Sequence, residues 1–270
     1  MLTSAFESPE ARRRHVRRLF ATIADRYDLI TRVLSYGMDG RWKRRVIARA
    51  GVRAGERALD LATGTGDIAY ALAARGAVVA GLDVTHQMLK LARAKQPDRG
   101  APSITWTTGD MTALPFPDCV FKIVTTSYGL RNVPDLDEAI AEIVRVLAPG
   151  GRFLSLDFNR PESRVVGTIY LGYLGIVGAV LGWVLHGDPD TYRYIPASIR
   201  RYPGAAGVAD RLRRAGLTGV EAIPLLGGLM TIHIARAPET LSPLTLLSPG
   251  SETSHTGRTK HGAPSRNRPH

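Results

Sequence analysis

The feature that most constrains the fold of this chain is a regular alternation of strand and helix patterns that begins at Arg57. Amphipathic helix patterns cover residues 67–75, 85–95 and 135–147, and they are interleaved with the apolar strand patterns RALDLA, AVVAGLD, SITWTTGD, FKIVTTS and RFLSLDF. Strands that alternate with helices are joined by right-handed crossovers and form a mainly parallel sheet with helices on both faces. The alternation therefore predicts a doubly wound α/β fold.

Two further strands complete the predicted sheet. A helix is predicted over 204–215, and it is followed by the strand patterns GVEAIPL and LMTIHIA, which only the tripeptide LGG separates. A connection this short joins antiparallel neighbours. The sequence therefore predicts a mainly parallel, seven-stranded sheet that is closed at its edge by an antiparallel hairpin.

The residues on either side of this predicted domain, 57–237, differ from it in composition. Residues 1–56 hold thirteen Lys and Arg against six Asp and Glu, and we expect a basic helical segment there. This segment presents either solvated helix faces or a surface for acidic lipid head groups. It contains no recognisable nucleic-acid-binding module, so we expect no nucleic-acid partner. Residues 238–270 are rich in Ser, Thr, Pro, Gly and His, and we expect a disordered tail.

The sequence also bears on location and on metal binding. The opening residues, MLTSAFESPE, lack the basic start and the apolar core of a signal peptide, so we expect a cytoplasmic protein. The single cysteine, Cys119, can form neither an intramolecular disulfide nor a cysteine metal cluster. No spacing of His, Cys and acidic residues suggests a metal site, and none is predicted.

Residues 165–185 form a stretch of twenty-one residues without a charged side chain, inside a predicted helical cap insertion over 160–202. A helix of that length covers about 30 Å, roughly the thickness of the hydrocarbon core of a bilayer. If it crossed a bilayer, the strands before and after it would lie on opposite sides and would not share one sheet. A cap helix buried against the sheet is a second interpretation. We favour a third one, an apolar lid over the ligand crevice that contacts the membrane surface.

The strongest local signal is LDLATGTGDIA, residues 59–69, in which a strand pattern runs into a Gly-x-Gly loop and then into a helix pattern. Gly64 and Gly66 allow backbone amides to approach a ligand closely, because glycine has no side chain. Asp83 follows Gly66 by seventeen residues and ends the next strand, where a carboxylate can accept hydrogen bonds from both ribose hydroxyls of a nucleotide. The pattern predicts a cofactor that contains a nucleoside.

The residues around the loop indicate which cofactor binds. Ala69 replaces the third glycine of the dinucleotide fingerprint, and Asp60 and Asp67 flank the loop. Two acids would repel a pyrophosphate but suit a cationic amino-acid group, which favours S-adenosyl-L-methionine. Asp110, after the third strand, is then expected to accept a hydrogen bond from the adenine amino group, and Met111 is expected to pack on the adenine ring.

From about residue 15 to residue 235, the chain resembles the ubiquinone/menaquinone C-methyltransferase family. Four motifs are general to methyltransferases: LDLATGTGD, GLDVTHQML, GDMTALPFPD and VLAPGGR. Three others are specific to the family: ATIADRYDLITRVLSYGMDGRWKRR, SYGLRNVPD and DTYRYIPASIRRYP. The resemblance implies a class I, Rossmann-like methyltransferase fold and methyl transfer from S-adenosyl-L-methionine to a ring carbon of a prenylated hydroquinone. It also implies cofactor contacts at Thr65, Asp83, Asp110, Met111 and Ser127.

Methyl transfer to carbon requires an electron-rich ring, and the residues after the fourth strand suggest how the chain provides one. A hydroquinone carbon becomes nucleophilic when the neighbouring hydroxyl loses its proton, and the pKa of that hydroxyl should be close to that of Tyr, about 10. Arg131 is expected to stabilise the phenolate, and Asn132 to orient it or a water molecule. Tyr27 is expected to take part in proton relay.

These residues also have structural interpretations. Arg131 alternatively pairs with Asp135 or Asp137 at the surface, and Tyr27 alternatively is a core aromatic residue. Three histidines are candidate bases but are expected to be structural: His86, His186 and His233. His186, at the end of the charge-free stretch, is the one to test as a base.

Other functions remain open from sequence alone. Because a fold does not fix the methyl acceptor, O- or N-methylation of another lipid or small phenol is one alternative. A non-enzymatic subunit of a membrane-surface assembly is a second. Whether the acceptor is a benzoquinol or a naphthoquinol, and whether the chain forms a homodimer, is left undecided.

Overall fold

A seven-stranded sheet forms the centre of the computed structural model, which describes residues 6–95, 104–161 and 163–239. In chain order the strands are β1 (Arg57–Leu61), β2 (Val78–Asp83), β3 (Ile104–Thr108), β4 (Phe121–Ser127), β5 (Leu147–Phe158), β6 (Thr218–Leu225) and β7 (Met230–Arg236). Their order in space is β3-β2-β1-β4-β5-β7-β6. Strands β1 to β5 are parallel, and β7 is antiparallel to both β5 and β6. The predicted α/β sheet with its closing hairpin is confirmed.

Nine helices occur in the described part of the chain. They are α1 (Pro9–Ile23), α2 (Tyr27–Leu34), α3 (Asp39–Ala50), α4 (Asp67–Ala73), α5 (His86–Ala94), α6 (Leu136–Val146), α7 (Arg164–His186), α8 (Tyr194–Arg201) and α9 (Gly204–Arg214). Polar side chains cap helix starts where the sequence supplies them, since Ser8 accepts a hydrogen bond from the amide of Ala11 and Asp135 accepts from the first amides of α6. The predicted helices α4, α5, α6 and α9 are present within two residues of their predicted ends.

Helices cover both faces of the sheet, because successive strand residues point to opposite sides. In β1, Ala58 belongs to the apolar cluster under α3 and α4, whereas Leu59 belongs to the cluster under α6 and α9. Strand β5 is longer than predicted. It begins at Leu147, directly after α6, and continues through the Pro-Gly-Gly segment with a shift in its register against β4.

Helix α7 corresponds to the charge-free stretch, and it is the one helix of the described residues that is long and apolar enough to cross a bilayer. The chain leaves β5 to enter α7 and returns to β7, which pairs with β5 from Arg152↔Arg236 to Phe158↔Met230. Both ends of α7 are therefore attached to one sheet, which is incompatible with a transmembrane orientation of this helix.

The side of α7 that faces the protein is formed by Tyr170, Leu174, Gly178 and Gly182. A side chain at Gly182 would lie 2.4 Å from the carbonyl oxygen of Asp188, so glycine is needed for this close approach. The opposite side of α7 is exposed and apolar. Helix α7 therefore packs on the protein along one face only, and its predicted role as a cap stays a prediction. Residues 240–270 of the predicted tail lie outside the described residues.

Candidate active site

A crevice with about 670 Å³ of empty space opens at the carboxyl ends of β1, β2 and β4. Parallel strands present their ligand-binding residues at this end. Helix α1 covers the crevice with Arg13, Val16 and Phe20. The crevice brings together seven of the residues predicted from sequence: Tyr27, Gly64, Asp83, Asp110, Met111, Ser127 and Asn132.

A smaller cavity, with about 290 Å³ of empty space, adjoins the crevice. The two share Tyr27, Ala62, Ser127 and Tyr128 in their walls. Two more of the predicted residues, Asp60 and Thr65, line this smaller cavity. We refer to it below as the polar cavity, because acids, hydroxyls and a lysine line it.

Asp83, the last residue of β2, holds the Gly-x-Gly loop in place, and its predicted contact with the ribose stays a prediction. One carboxylate oxygen accepts a hydrogen bond from the amide of Gly64 at 2.9 Å, and the other accepts from the amide of Thr85 at 2.8 Å. Each carboxylate oxygen has two lone pairs, so Asp83 keeps acceptor capacity for ligand hydroxyls. Burial raises the pKa of Asp83 to about 6, although these hydrogen bonds oppose the shift.

Gly66, which was predicted to contact the cofactor, lies outside the walls of the crevice and of the polar cavity. Its φ of 89° is left-handed, and a side chain at this position would lie 2.8 Å from the ring of Trp106. The requirement for glycine here comes from packing against Trp106. Proximity to a ligand explains Gly64 better, since it lies in the wall of the crevice itself.

Asp60 is buried in the wall of the polar cavity. Its two carboxylate oxygens accept hydrogen bonds from the hydroxyls of Thr63, at 2.6 Å, and Thr125, at 2.8 Å. Burial raises the pKa of Asp60 to about 6. Asp67, by contrast, pairs with Lys43 at 2.9 Å and with Lys95 at 3.4 Å. The loop is therefore less acidic than the sequence pattern suggested, because lysines from two other helices face Asp67.

Arg13 of α1 was not predicted from sequence, yet it reaches across the crevice. Its Nε donates a hydrogen bond to Asp110 at 3.0 Å, and Asp110 also accepts from the amide of Thr112 at 3.0 Å. Met111 beside it is buried. Asp110 and Met111 therefore lie together in the wall of the crevice, and Arg13 attaches α1 to them.

The residues of the crevice fit S-adenosyl-L-methionine in a second respect. The buried Oγ of Ser127 has no hydrogen-bond partner among the described residues, although it lies in the wall shared by the crevice and the polar cavity. A buried hydroxyl without a partner is costly in the free protein, and a polar ligand would satisfy it. Ser127 is one of the five cofactor contacts that the resemblance implies.

Beyond the crevice, α1, α2 and α8 enclose a third cavity with about 520 Å³ of empty space. Its walls are mainly apolar, and we call it the apolar chamber: Leu19, Phe20, Ile23, Ile30, Leu34, Phe158, Tyr192 and Ile195, among others. The chamber shares Phe20, Tyr27 and Tyr128 with the crevice. A ligand in the chamber and a ligand in the crevice would therefore meet at these aromatic side chains.

Tyr27 lines all three cavities. Burial raises its pKa to about 12, so its hydroxyl stays protonated at neutral pH. A neutral hydroxyl can donate a hydrogen bond or pass a proton on, but it cannot serve as a phenolate base. Tyr128 also lines all three cavities, and it donates a hydrogen bond to Asp39 at 2.6 Å. Its φ of 59° is unusual for a bulky residue and marks local strain.

Arg131 lies in the wall of the apolar chamber rather than in the crevice. Its Nε lies 3.1 Å from a carboxylate oxygen of Asp157, and both side chains are almost wholly buried, at 5% and 2% exposure. Neither of the surface acids considered from sequence is its partner, because Asp135 caps α6 and Asp137 pairs with Arg211. Burial raises the pKa of Asp157 to about 6, and the charge of Arg131 opposes the shift.

The remaining contacts of Arg131 show which of its nitrogen atoms are available to a ligand. Nη1 donates to the side-chain oxygen of Asn132 at 2.9 Å and to the hydroxyl of Ser198 at 3.0 Å. Nη2 has no acceptor among residues 6–95, 104–161 and 163–239. The guanidinium also lies 5.0 Å from the ring centre of Phe158. Arg131 is therefore fixed in place by Nη1 and by the charge of Asp157, whereas neither Nη2 nor the buried Nε has a hydrogen-bond partner among the described residues.

Asn132 is engaged at both ends of its amide. It accepts from Arg131, and its nitrogen donates to the backbone carbonyl of Tyr128 at 2.7 Å. This geometry favours a role in positioning Arg131 and the strained backbone of Tyr128. The amide keeps one further donor and one further acceptor site, so the predicted orientation of the substrate by Asn132 stays a prediction.

None of the three histidines considered from sequence lines these cavities. His186 forms a hydrogen bond with the hydroxyl of Tyr192 at 2.9 Å, and His233 is buried between Ser155 and the carbonyl of Ala205. His86 lies at the surface beside Thr108. Among the residues that the structure describes, no group of three or more His, Cys, Asp or Glu side chains is placed to hold a metal ion.

Comparison with known proteins identifies similar chains over the same region. The model of the ubiE/COQ5 methyltransferase family matches residues 8–237. Over 222 residues, the chain is 41% identical to demethylmenaquinone methyltransferase of Thermus thermophilus, covering 82% of this chain and 100% of that protein. It is 36% identical over 230 residues to a ubiquinone/menaquinone biosynthesis C-methyltransferase of Francisella tularensis, covering 83% and 92%.

Solved structures share the fold at lower identity. A putative S-adenosyl-L-methionine-dependent methyltransferase from Methanococcus maripaludis matches with a TM-score of 0.56 and 20% identity, covering 81% of this chain and 93% of that one. A putative methyltransferase in complex with the Trm112 activator of Haloferax volcanii matches with a TM-score of 0.59 and 21% identity, covering 81% and 97%.

Proposed function

The chain belongs to the ubiE/COQ5 methyltransferase family, and from this premise we propose that it methylates a ring carbon of a prenylated hydroquinone. It is an S-adenosyl-L-methionine-dependent methyltransferase, as its motifs predicted. The observation that carries the choice of acceptor is the apolar chamber. It adjoins the cofactor crevice at Tyr27 and Tyr128, and a charged Arg131 lies in its mainly apolar wall.

When bound, the cofactor supplies an electrophilic methyl group. Asp83 would accept hydrogen bonds from its ribose, Asp110 and Met111 would hold its adenine, and Ser127 and the walls of the polar cavity would face the amino-acid end. We propose that the ring of the acceptor enters the chamber beside Tyr27 and Tyr128, so that its reactive carbon faces the crevice. The apolar walls exclude water from this place, which strengthens every electrostatic interaction in it.

Arg131 stabilises the deprotonated ring hydroxyl in this proposal. Its charge is partly compensated by Asp157, but Nη2 is free to donate to a phenolate oxygen. Tyr194, also in the chamber wall, has a buried hydroxyl without a partner among the described residues. A hydroquinone carries two ring oxygens, and Tyr194 is a suitable donor for the second one. Stabilisation of a developing oxyanion by one such donor accelerates reactions by about 10² to 10³.

The experiment that tests this proposal compares acceptors of different redox state. Purified protein is incubated with labelled S-adenosyl-L-methionine and with prenylated benzoquinol, prenylated naphthoquinol or their oxidised quinones. Transfer of label to at least one reduced quinol and to neither oxidised quinone is expected, because an oxidised ring has no hydroxyl to lose. Transfer to every quinone regardless of redox state, or to none, would contradict the proposal. Tyr194→Phe is expected to raise KM for the quinol and to leave the Kd for the cofactor unchanged.

We further propose that the protein is cytoplasmic and binds peripherally to the membrane that holds its acceptor. The exposed side of α7 is an apolar stripe over about five turns, formed by Val165, Ile169, Ile176, Val180 and Trp183. A second stripe beside it is formed by Leu29 and Val33 of α2 and by Tyr36 just after that helix. Tyr36 stacks on Tyr173, which joins the two helices. Exposed arginines without an ion-pair partner among the described residues flank the stripes, and they suit acidic lipid head groups: Arg26, Arg32 and Arg164.

Vesicle sedimentation tests this second proposal. Ile176→Lys and Trp183→Lys are expected to reduce binding to vesicles that contain acidic lipids, because a charge on the apolar stripe opposes its insertion. Val78→Lys is the matched control, since Val78 is also exposed but lies at the amino end of β2. Equal binding by all three variants would contradict the proposal. A loss of dimers in the two α7 variants, with vesicle binding unchanged, would assign the stripe to a homodimer interface instead.

A further inference from the structure

The polar cavity contains one cationic side chain among the residues that the structure describes. This is Lys43 of α3, which lies opposite Asp60 and Asp67. The polar cavity shares Ser127 and Ala62 with the crevice, whereas Asp110 lines the crevice and not the polar cavity. A cofactor whose nucleoside end lies at Asp83 and Asp110 would therefore extend its other end towards Lys43.

Lys43 is held in a fixed position by two acids. Its Nζ donates to Asp39 at 2.6 Å and to Asp67 at 2.9 Å, and its side chain is only 14% exposed. A lysine ammonium has three hydrogen-bond donors, so one remains after these two contacts. The charges of Asp39 and Asp67 raise the pKa of Lys43 despite its burial, so the ammonium is fully charged at neutral pH.

The amino-acid end of S-adenosyl-L-methionine is a zwitterion, which needs an anionic and a cationic partner. Acidic side chains and hydroxyls in the polar cavity suit its ammonium group. Its carboxylate has only one cation available there. We infer that Lys43 binds the carboxylate of the cofactor through its third donor. The inference deepens the cofactor part of the proposed function and does not depend on the identity of the methyl acceptor.

The test removes the lysine charge and the ligand carboxylate separately. Calorimetry measures the Kd of S-adenosyl-L-methionine and of its decarboxylated analogue for the unaltered chain and for Lys43→Met. The variant is expected to bind S-adenosyl-L-methionine about tenfold to a hundredfold more weakly, as for loss of a charge-assisted hydrogen bond. Its affinity for the decarboxylated analogue is expected to change by less than about threefold, because that ligand has no carboxylate for Lys43 to bind.

Lys95→Met is the matched control. Lys95 also pairs with Asp67, but it lies in the wall of none of the three cavities. This variant is expected to keep the preference of the unaltered chain for S-adenosyl-L-methionine over the analogue. Lys43→Arg, which keeps the charge, is expected to restore part of the preference.

Two results would overturn the inference. If Lys43→Met weakens both ligands equally, Lys43 only supports the shape of the cavity. If it weakens neither, the carboxylate lies elsewhere. Thermal unfolding of each variant without ligand shows whether the fold is intact, and Lys43→Gln, which also lacks the charge, replaces Lys43→Met should the latter fail to fold. These titrations contain no quinol. A negative result would therefore overturn only the role of Lys43 and would be distinguishable from a failure of the proposed acceptor.

Discussion

Replacement of Arg131 by methionine tests the buried ion pair in the chamber wall. The variant keeps an unbranched apolar side chain but leaves the carboxylate of Asp157, only 2% exposed, without its cation. Loss of one partner of a buried pair costs about 3 to 5 kcal/mol, because the remaining charge is uncompensated. Hydrogen bonds to Asn132 and Ser198 are lost as well. We expect the free energy of unfolding at pH 8 to fall by an amount in that range.

The loss should depend on pH in a defined window. The pKa of Asp157 in the folded chain, about 6, is already raised above its value in the unfolded chain. A carboxyl with a raised pKa stabilises the fold below its unfolded pKa, and this contribution is lost as pH rises through its folded pKa. Removal of Arg131 raises the folded pKa further, since the main opposing charge is gone. The penalty should therefore shrink as pH falls from 8 towards 6, by up to about 1.4 kcal/mol per pH unit.

Urea denaturation of Arg131→Met at pH 8 and pH 6, followed by circular dichroism, measures this effect. In the double variant Arg131→Met/Asp157→Asn, the pH dependence between 8 and 6 that Arg131→Met adds should disappear, and stability at pH 8 should exceed that of the single variant. Arg193→Met, which breaks an exposed pair with Asp190, is the control and should cost less than about 1 kcal/mol. A penalty for Arg131→Met that is equal at both pH values would refute the reasoning. The Kd for the cofactor should stay unchanged, since Arg131 lies outside the crevice.

Three further outcomes are expected. Cofactor affinity should decrease as pH falls below about 6, by up to about tenfold per pH unit, because Asp83 must lose its proton to accept hydrogen bonds from two ribose hydroxyls. A constant Kd in calorimetry from pH 8 to 5 would contradict this. Gly129→Ala should destabilise the chain by about 1 to 3 kcal/mol, since the added methyl would lie 2.4 Å from Oγ1 of Thr126. Gly172→Ala should instead stabilise α7, because the space around Gly172 is open. Thermal unfolding compares the two variants. Leu174→Ala should cost about 2 to 5 kcal/mol in urea denaturation, because this residue is 1% exposed; no loss would mean that α7 does not pack as described.

The sheet and the cofactor loop were predictable because their signals are local. Each strand carries its own apolar pattern, and Asp60, Asp83 and Asp110 lie at or just beyond strand ends where the topology brings ligands. Most of the predicted cofactor residues therefore lie together in the crevice and the polar cavity. Gly66 packs against Trp106 in the structure, and no sequence pattern separates a glycine needed for such packing from one needed for ligand approach, so its contact with the cofactor stays a prediction.

The contacts between distant segments were not predictable. Arg131 and Asp157 are twenty-six residues apart, and Arg13 and Asp110 are ninety-seven apart, so their pairing depends on how helices pack on the finished sheet. Asp157 carried one usable signal, its position at the end of β5, which parallels that of Asp83 in β2. The stretch 165–185 is apolar on every side, so its sequence does not reveal which face is buried. Packing of Tyr170 and Leu174 decides this in the structure.

The central claim is that the chain transfers a methyl group to carbon, and the position of the transferred label tests it most directly. The methyl-¹³C form of S-adenosyl-L-methionine is supplied with a reduced prenylated naphthoquinol or benzoquinol, and the product is examined by ¹³C nuclear magnetic resonance. The account predicts a single labelled methyl group bonded to a ring carbon, and its formation should fall by about 10² or more in Arg131→Met. A labelled methoxy group, or an equal yield from Arg131→Met, would contradict it.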